Sequence, residues 1–541
     1  MMAVLWADIY HDMQLAQRHL GKAVEMLRSH RLDRGDPEDD TDEVAFKYRM
    51  LAGYTAFESA LKRLLLMLDE EAPRGSQSHA DLLRRFRTAL PDSRPALLDD
   101  ALYRAADELR KFRHVAIHVY DALALQLRFR PAHLPASVWG RRHGLVASIE
   151  TTLELWASSL RDVKRRIRPL FTQERVALSA GQFLDGLLGG EQRKTGWSRA
   201  EAAGDPGPWR QQGILGRGRW EADALRDVVR DYVVEHLADD DAVLVIDETG
   251  FLKQGKASCG VARQYTGSAG KITNCQIGVF ADYVSRHGHA FIDRALYLPK
   301  SWTTEKDRLF KAHVPAETSF ATKPQIAQAM VARAIAAEVP FRWVAADSVY
   351  GVGALEMALR RAGKGYVLGV NRNSEFHSWN KPVPFHGSAE EIAAGLGEGD
   401  WKRLSAGAGT KGPRLYDWAY CELADLDGPA SGDGPVSRWT RGLLIRRTIA
   451  DGALAYFSTW CPQGTSIETL VHVEGHRWSV EDDFETGKNE FGLDHNETRS
   501  WHGWHRHVSL SMLALAMMCA VRHRANLADH PKKLLRQRQL I

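Results

Sequence analysis

The chain has few cysteines: five among 541 residues, at 259, 275, 421, 461 and 519. Their number is odd, their spacing scattered, and no CxxC pair occurs. This argues against a disulfide framework or a cysteine zinc site and fits a reducing, cytoplasmic setting. Long apolar runs are also lacking. The longest, VSLSMLALAMMCAV at 508–521, is too short to cross a bilayer and lies between His507 and Arg522, so a buried helix and no membrane partner are expected. The opening MMAVLWADIYHDM carries an acid early and no extended apolar stretch, so no signal peptide is expected. No repeat of fixed period is visible. Charge is not strongly of either sign: the net value is +4 and the pI about 8.7, compatible with nucleic acid without demanding it.

What is present is ordinary globular composition, 44% hydrophobic and 26% charged, over a length that suits roughly two to four domains. Residues 1–135 read as helices, with MQLAQRHLGKAVEML, FKYRMLAGYTAFESALKRLLLML and LLDDALYRAADELRKFRHVAIHVYDALAL all in helical spacing. The proline- and glycine-bearing RFRPAHLPASVWGRRHG (128–144) reads as a boundary. A second helical region covers 149–238. Its middle, QRKTGWSRAEAAGDPGPWRQQGILGRGRW, admits a helix-turn-helix, though any basic loop between helices would look similar.

From 241 the texture changes. DAVLVIDETG, SCGVARQYTG, ITNCQIGVFADYVS and HAFIDRALYLP read as strands; PQIAQAMVARAIAAE and ALEMALRRAG read as helices alternating with the strands FRWVAADSVYG and GYVLGV. Strands first, then alternation, predicts an α/β sheet with antiparallel and parallel parts at 241–370. Residues 371–466 read as a β-rich insertion, and 467–525 as the closing part of the core.

Two acids end strands. Asp247 closes DAVLVID and Asp347 closes WVAAD, where α/β folds place their ligands. Either alone also suits a turn or helix cap. A third acid comes from HRWSVEDDFETGKNEFGLD (476–494), read as helix. At about 100° per residue from Arg477, Glu481 falls near +40° and Lys488 near +20°, beside an apolar stripe of Val473, Val480, Phe484 and Phe491 at roughly −20° to −60°. Glu474 and Glu485 lie further out, and Asp482, Asp483 and Glu490 are expected in solvent. An Arg–Glu pair at i, i+4 is also an ordinary helical ion pair. Carboxylates on three separated elements, however, are what a two-metal phosphoryl-transfer site requires.

The segments VIDETGFLKQGKASCGVARQYTGSAGKITNCQIGVF, WVAADSVYG and RWSVEDDFETGKNEFGLDHNETRSWHGWHRH resemble the DDE transposases of bacterial insertion sequences. More narrowly, they resemble the group with a Y-x2-R-x3-E-x6-K signature and a β-insertion before the last carboxylate. Arg477, Glu481 and Lys488 match that spacing; the tyrosine position holds Glu474. The resemblance spans about 149–525. It implies an RNase H-like core with Asp247, Asp347 and Glu481 as catalytic metal ligands for two Mg²⁺ or Mn²⁺ ions. It further implies Arg477 and Lys488 on DNA phosphates, and partners that are double-stranded DNA (terminal inverted repeats and target) and a second copy of the chain on paired ends.

LRKFRHVAIHVYD (109–121) holds Arg113, His118 and Tyr120 in an R-x4-H-x-Y pattern. An amphipathic helix with incidental polar residues accounts for it too. With its neighbours it resembles the HEPN domains of HepT-type toxins, which implies a metal-free ribonuclease with RNA as partner, Arg113 on phosphate and His118 in proton transfer. In-frame insertion of an element into a toxin gene could produce such a pairing, and so could a reading frame begun too far upstream. Three functions are thus open: a transposase with a HepT-like appendage, a DDE-fold nuclease without strand transfer, and a ribonuclease toxin fused to an inactive transposase relic.

Overall fold

The structure is a computed structural model, described at residues 2–28, 41–68, 78–88, 96–100, 102–107, 142–189, 191, 193–203, 205–378, 386–409, 412–427 and 438–528. The chain divides into two compact units, Met1–Ser158 and Ser159–Ile541.

In the first unit, helices Met2–Arg28 and Thr41–Met67 pack along one another. Gly53 permits the approach: a Cβ there would lie 2.7 Å from Leu20 Cγ. Leu61 and Leu65, one turn apart, meet Leu82, Leu83 and Phe86 of helix Ser78–Arg87 in a small apolar core closed by Leu98 and Ala106. Arg63 pairs with Asp12 between the two long helices. Arg113, His118 and Tyr120 lie outside the described residues.

The second unit is built on one large sheet. Its strands are β1 (Val243–Leu252), β2 (Ala262–Thr266), β3 (Lys271–Ser285), β4 (Gly288–Tyr297), β5 (Trp343–Ala346), β6 (Gly365–Val370), β9 (Lys402–Gly409), β10 (Gly412–Asp427), β11 (Arg438–Arg447) and β12 (Leu454–Pro462); β7 (Glu375–His377) and β8 (His386–Ser388) pair separately. The order is β2-β3-β1-β5-β6-β12-β11-β10-β9, with β4 on the long β3 as well. β3 pairs antiparallel with β1 and β4, as adjacent hairpin strands do, whereas β5 and β6 run parallel to β1. Helices Lys323–Ala336 and Gly353–Arg361 supply the crossovers that parallel strands need. Val243 to Ile246 are all buried, so β1 is covered on both faces, the usual state of a strand with parallel neighbours.

The β-rich stretch after 370 does not stand apart. β12 pairs antiparallel with β6, Tyr456 opposite Val370 and Trp460 opposite Tyr366, so β9–β12 prolong the core sheet. Phe376, Ile392, Leu443, Ile445 and Tyr456 join Val370 in a continuous apolar core there.

The run at 508–521 forms the buried middle of helix Trp501–Ala528, which packs on β4 and on helix Ala222–Leu237. Arg506 on it donates to the carbonyls of Leu215 (2.9 Å) and Trp220, anchoring the preceding helical region to the core. In that region helices Gly196–Ala202 and Trp209–Gly216 flank a turn, with Trp197 and Trp209 exposed. Among the described residues no helix is long and apolar enough to cross a membrane.

Candidate active site

The register of the parallel pair fixes the first two acids. Ile246 of β1 stands opposite Ala346 of β5, and each strand's next residue is an aspartate. Asp247 and Asp347 are therefore neighbours on adjacent strands, whose spacing is about 4.8 Å. The chain turns away from the sheet after Asp347, whose Oδ1 accepts the Val349 N–H at 2.9 Å. Two glycines let this turn nest on β6: a Cβ on Gly351 would lie 1.8 Å from the Gly369 carbonyl, and one on Gly369 would lie 2.7 Å from the Ser348 nitrogen.

The third acid arrives on a helix that differs from the sequence expectation. The segment 476–494 is not one helix. Ile467–His476 ends at Arg477, and a second helix runs Trp478–Asn489. Val473, Val480, Phe484 and Phe491 are buried as the spacing required. Two polar placements are corrected. Asp483, expected in solvent, is 2% exposed, because β3 and β4 cover that flank of the helix and its Oδ1 lies 2.8 Å from His289 Nδ1. Glu474, expected further out, is buried and accepts a 2.9 Å bond from Arg446 of β11, whose guanidinium also lies over the Tyr416 ring.

The second helix is pinned beside β1 at two points. Arg477 donates to Asp247 Oδ2 at 3.4 Å, and Lys488 donates to Thr249 Oγ1 at 2.6 Å and Ser268 Oγ at 2.9 Å. Glu481 sits one turn beyond Arg477 between these anchors. Asp247 is 7% exposed, and its pKa is pushed up to about 7, chiefly by burial, with Asp347 and Glu481 adding like charge while Arg477 and the Glu248 N–H oppose. Asp347 is also raised, first by burial and then by Glu248, against the Val349 hydrogen bond, Arg477 and Lys323. Burial lowers Lys488, with Asp494 and Glu481 opposing.

Asp247 thus feels both other acids, yet their oxygens remain looser than a closed metal cage. Among the described residues, the group of three ligand atoms within 4.8 Å of one another is Asp282, His289 and Asp483. The donor set nonetheless fits a divalent cation. Three oxygen ligands come from three elements, and a carboxylate raised chiefly by its burial would be favoured in its charged form by a bound cation.

Two features escape sequence reading. A cavity of about 530 Å³ opens beside Asp347 and Arg477, with Arg372, Glu474 and Arg446 in its walls. It is walled by the insertion, so only the pairing of β12 with β6 reveals it. Glu248, immediately after Asp247, is held by Lys323 and by the Tyr350 hydroxyl, which fixes the end of β1 to the crossover and to the loop after Asp347.

Comparisons with known proteins cover the same region of the chain. A family model described as "DDE superfamily endonuclease" matches residues 167–391, and one described as "Transposase DDE domain" matches 321–517. One described as "HepT-like protein" matches 45–139. A protein named "Probable transposase for insertion sequence element IS701", from Microchaete diplosiphon, is 31% identical over 144 residues, 26% of this chain and 35% of that protein. The aligned part thus spans about a third of that relative's length. DDE transposases use divalent metal ions. With a mixed sheet consistent with the RNase H-like fold, residues 167–517 are similar to DDE transposases, and HepT-like sequence lies ahead of them at 45–139.

Proposed function

We propose that the chain is a DNA transposase that cuts and joins insertion-sequence ends, with Asp247, Asp347 and Glu481 holding two Mg²⁺ or Mn²⁺ ions. The observation that carries this is the register Ile246–Ala346. It sets two aspartates side by side at the ends of parallel strands, with the Glu481 helix fastened to the same strand through Arg477 and Lys488. Bound divalent cations would supply Lewis-acid activation of water or a 3′-hydroxyl and charge stabilisation at the leaving oxygen.

The protein's own groups divide the remaining tasks. Asp247, buried and raised, is one of the residues that would hold a cation, and a bound cation would favour its carboxylate form. Arg477 then exchanges part of its hold on Asp247 for a phosphate oxygen, to which a guanidinium is well suited. Lys488, held by two hydroxyls, is a fixed point charge one helix length away. Arg372 and Arg446 line the adjoining cavity, each paired with an acid of the same wall, Glu390 and Glu474. Partners on this reading are double-stranded terminal repeats and target DNA, a second copy on the paired ends, and a cytoplasmic setting. HepT-like sequence over 45–139 includes Arg113, His118 and Tyr120. We therefore also propose RNA cleavage there, without metal, by paired copies.

The test is excision from a plasmid carrying paired candidate ends, with and without Mg²⁺, for the intact chain and Asp247→Asn. Metal-dependent excision with rejoining, abolished by the substitution, is expected. Cleavage of single ends without joining would leave a nuclease instead.

A further inference from the structure

Behind the Glu481 helix lies a second acidic group that the phosphoryl-transfer reading does not use. Asp282 on β3, His289 on β4 and Asp483 on helix Trp478–Asn489 bring one ligand atom each within 4.8 Å of one another. Asp282 is 0% exposed, and neither of its oxygens makes a well-formed hydrogen bond, the groups nearest to doing so being Asp483 and the Tyr283 N–H; Oδ2 of Asp483 lacks one too. Orphaned carboxylate oxygens in a closed interior are costly, and native proteins pair such groups or place them on metals. His289 faces Asp483 at 2.8 Å and is itself lowered by burial. A neutral imidazole offers a lone pair and no charge to balance two acids.

The surroundings supply that balance only in part. Arg522 lies within electrostatic reach of Asp483 and His289, while Asp482 adds negative charge beside His289. The Cys519 thiol, fully buried on helix Trp501–Ala528, lies near both acids. Two carboxylates and an imidazole converge here with carboxylate oxygens left over, a set that a bound cation would satisfy.

We propose that Asp282, His289 and Asp483 form a structural divalent-cation site of the zinc class, separate from the catalytic acids. One imidazole nitrogen and two carboxylates from three elements are a borderline donor set that Zn²⁺ accepts, leaving a fourth position for water or for a shift of Cys519. The ion would clamp the β3–β4 hairpin to the helix that carries Glu481, two residues from Asp483. The competing arrangement is a single proton shared between Asp282 and Asp483 with no metal.

The full-length chain carrying Asp247→Asn, Asp347→Asn and Glu481→Gln separates the two, because its catalytic ligands are removed. After chelation and gel filtration, Zn²⁺ alone is added, with Mn²⁺ as a parallel arm, and bound metal is counted by mass spectrometry. One equivalent of retained Zn²⁺ and a higher melting temperature are expected. Both should vanish on further Asp282→Asn or His289→Gln, with the far-ultraviolet circular dichroism unchanged. Co²⁺ in place of Zn²⁺ should give visible absorption that the same substitutions abolish. No retained metal, or metal retained equally by Asp282→Asn, overturns the proposal. So does an Asp282→Asn chain that is more stable than its parent with Zn²⁺ present, the result expected of a proton-sharing pair.

Discussion

On one flank of helix Trp478–Asn489, Asp247, Asp347 and Glu481 share their surroundings with Arg477, Lys488 and an open cavity. On the other, the buried Asp282 and Asp483 meet the partly exposed His289. Asp247 and Asp347 on the first flank, and Asp282 and Asp483 on the second, are all raised by burial, but the first flank has a cationic rim and an adjoining cavity. Charge that must come and go with a substrate needs the first arrangement; charge that is to stay needs the second. One helix thus carries an acid for each role, two residues apart.

The comparison breaks first at the catalytic acids. Asp247→Asn or Glu481→Gln should lower end cleavage by roughly 10³-fold, the loss of several kcal/mol of transition-state stabilisation. End binding in a gel-shift assay should survive, since phosphate contacts remain. If Glu485→Gln were inactive and Glu481→Gln active, the helix would be turned the wrong way here.

Titration sharpens the contrast. In chelator, folded Asp247 releases its proton near pH 7, whereas its ordinary value is 3.8. The folded state therefore holds more protons than the unfolded one between those values, and stability should fall as pH rises through that window. The fall is expected to be on the order of 1–3 kcal/mol and to level off above pH 7. Denaturant unfolding from pH 4 to 8 measures it, and Asp247→Asn should flatten the curve. An unchanged curve would mean that burial raises Asp247 far less than its surroundings suggest.

Removing the rim cations is a smaller effect. Arg477→Ala and Lys488→Ala should each reduce the slope of log affinity against log salt by about one, for every duplex sequence alike. Lys488→Ala should also cost about 1–3 kcal/mol of stability through its lost bonds to Thr249 and Ser268. A changed preference among end sequences would replace the phosphate role by base reading.

The smallest effect should come from the first unit. A chain beginning at residue 142, leaving helix Arg142–Ile167 whole, should cleave ends within about twofold of the full chain, because the two units are compact separately. Aggregation of that chain would show that the units depend on one another.

Local patterns in the sequence carried much of this. An apolar run ending in acid announced Asp247 and Asp347, and helical spacing found Val480 and Phe484. The same spacing misplaced Asp483, because a helical wheel knows only its own helix, and the burial of Asp483 comes from β3 and β4 some two hundred residues earlier in the chain. The wheel was also carried through Arg477, where the helix in fact breaks. Extension of the sheet by β9–β12 was hidden for a related reason. Strand pairing is non-local, and nothing within 371–466 states that its last strand returns to β6.

That return has an architectural meaning of its own. The chain leaves the core at Val370 and re-enters opposite it at Tyr456, so the two ends of the added stretch are hydrogen-bonded neighbours. Whatever hangs between them is joined to the core as the tip of a hairpin is joined to its stem. Such a cassette can lengthen, shorten or be exchanged while the stem stays in register. New chemistry brought on it, as Arg446 is brought to Glu474, is delivered beside the Asp347 strand without redesign of the sheet that holds the acids.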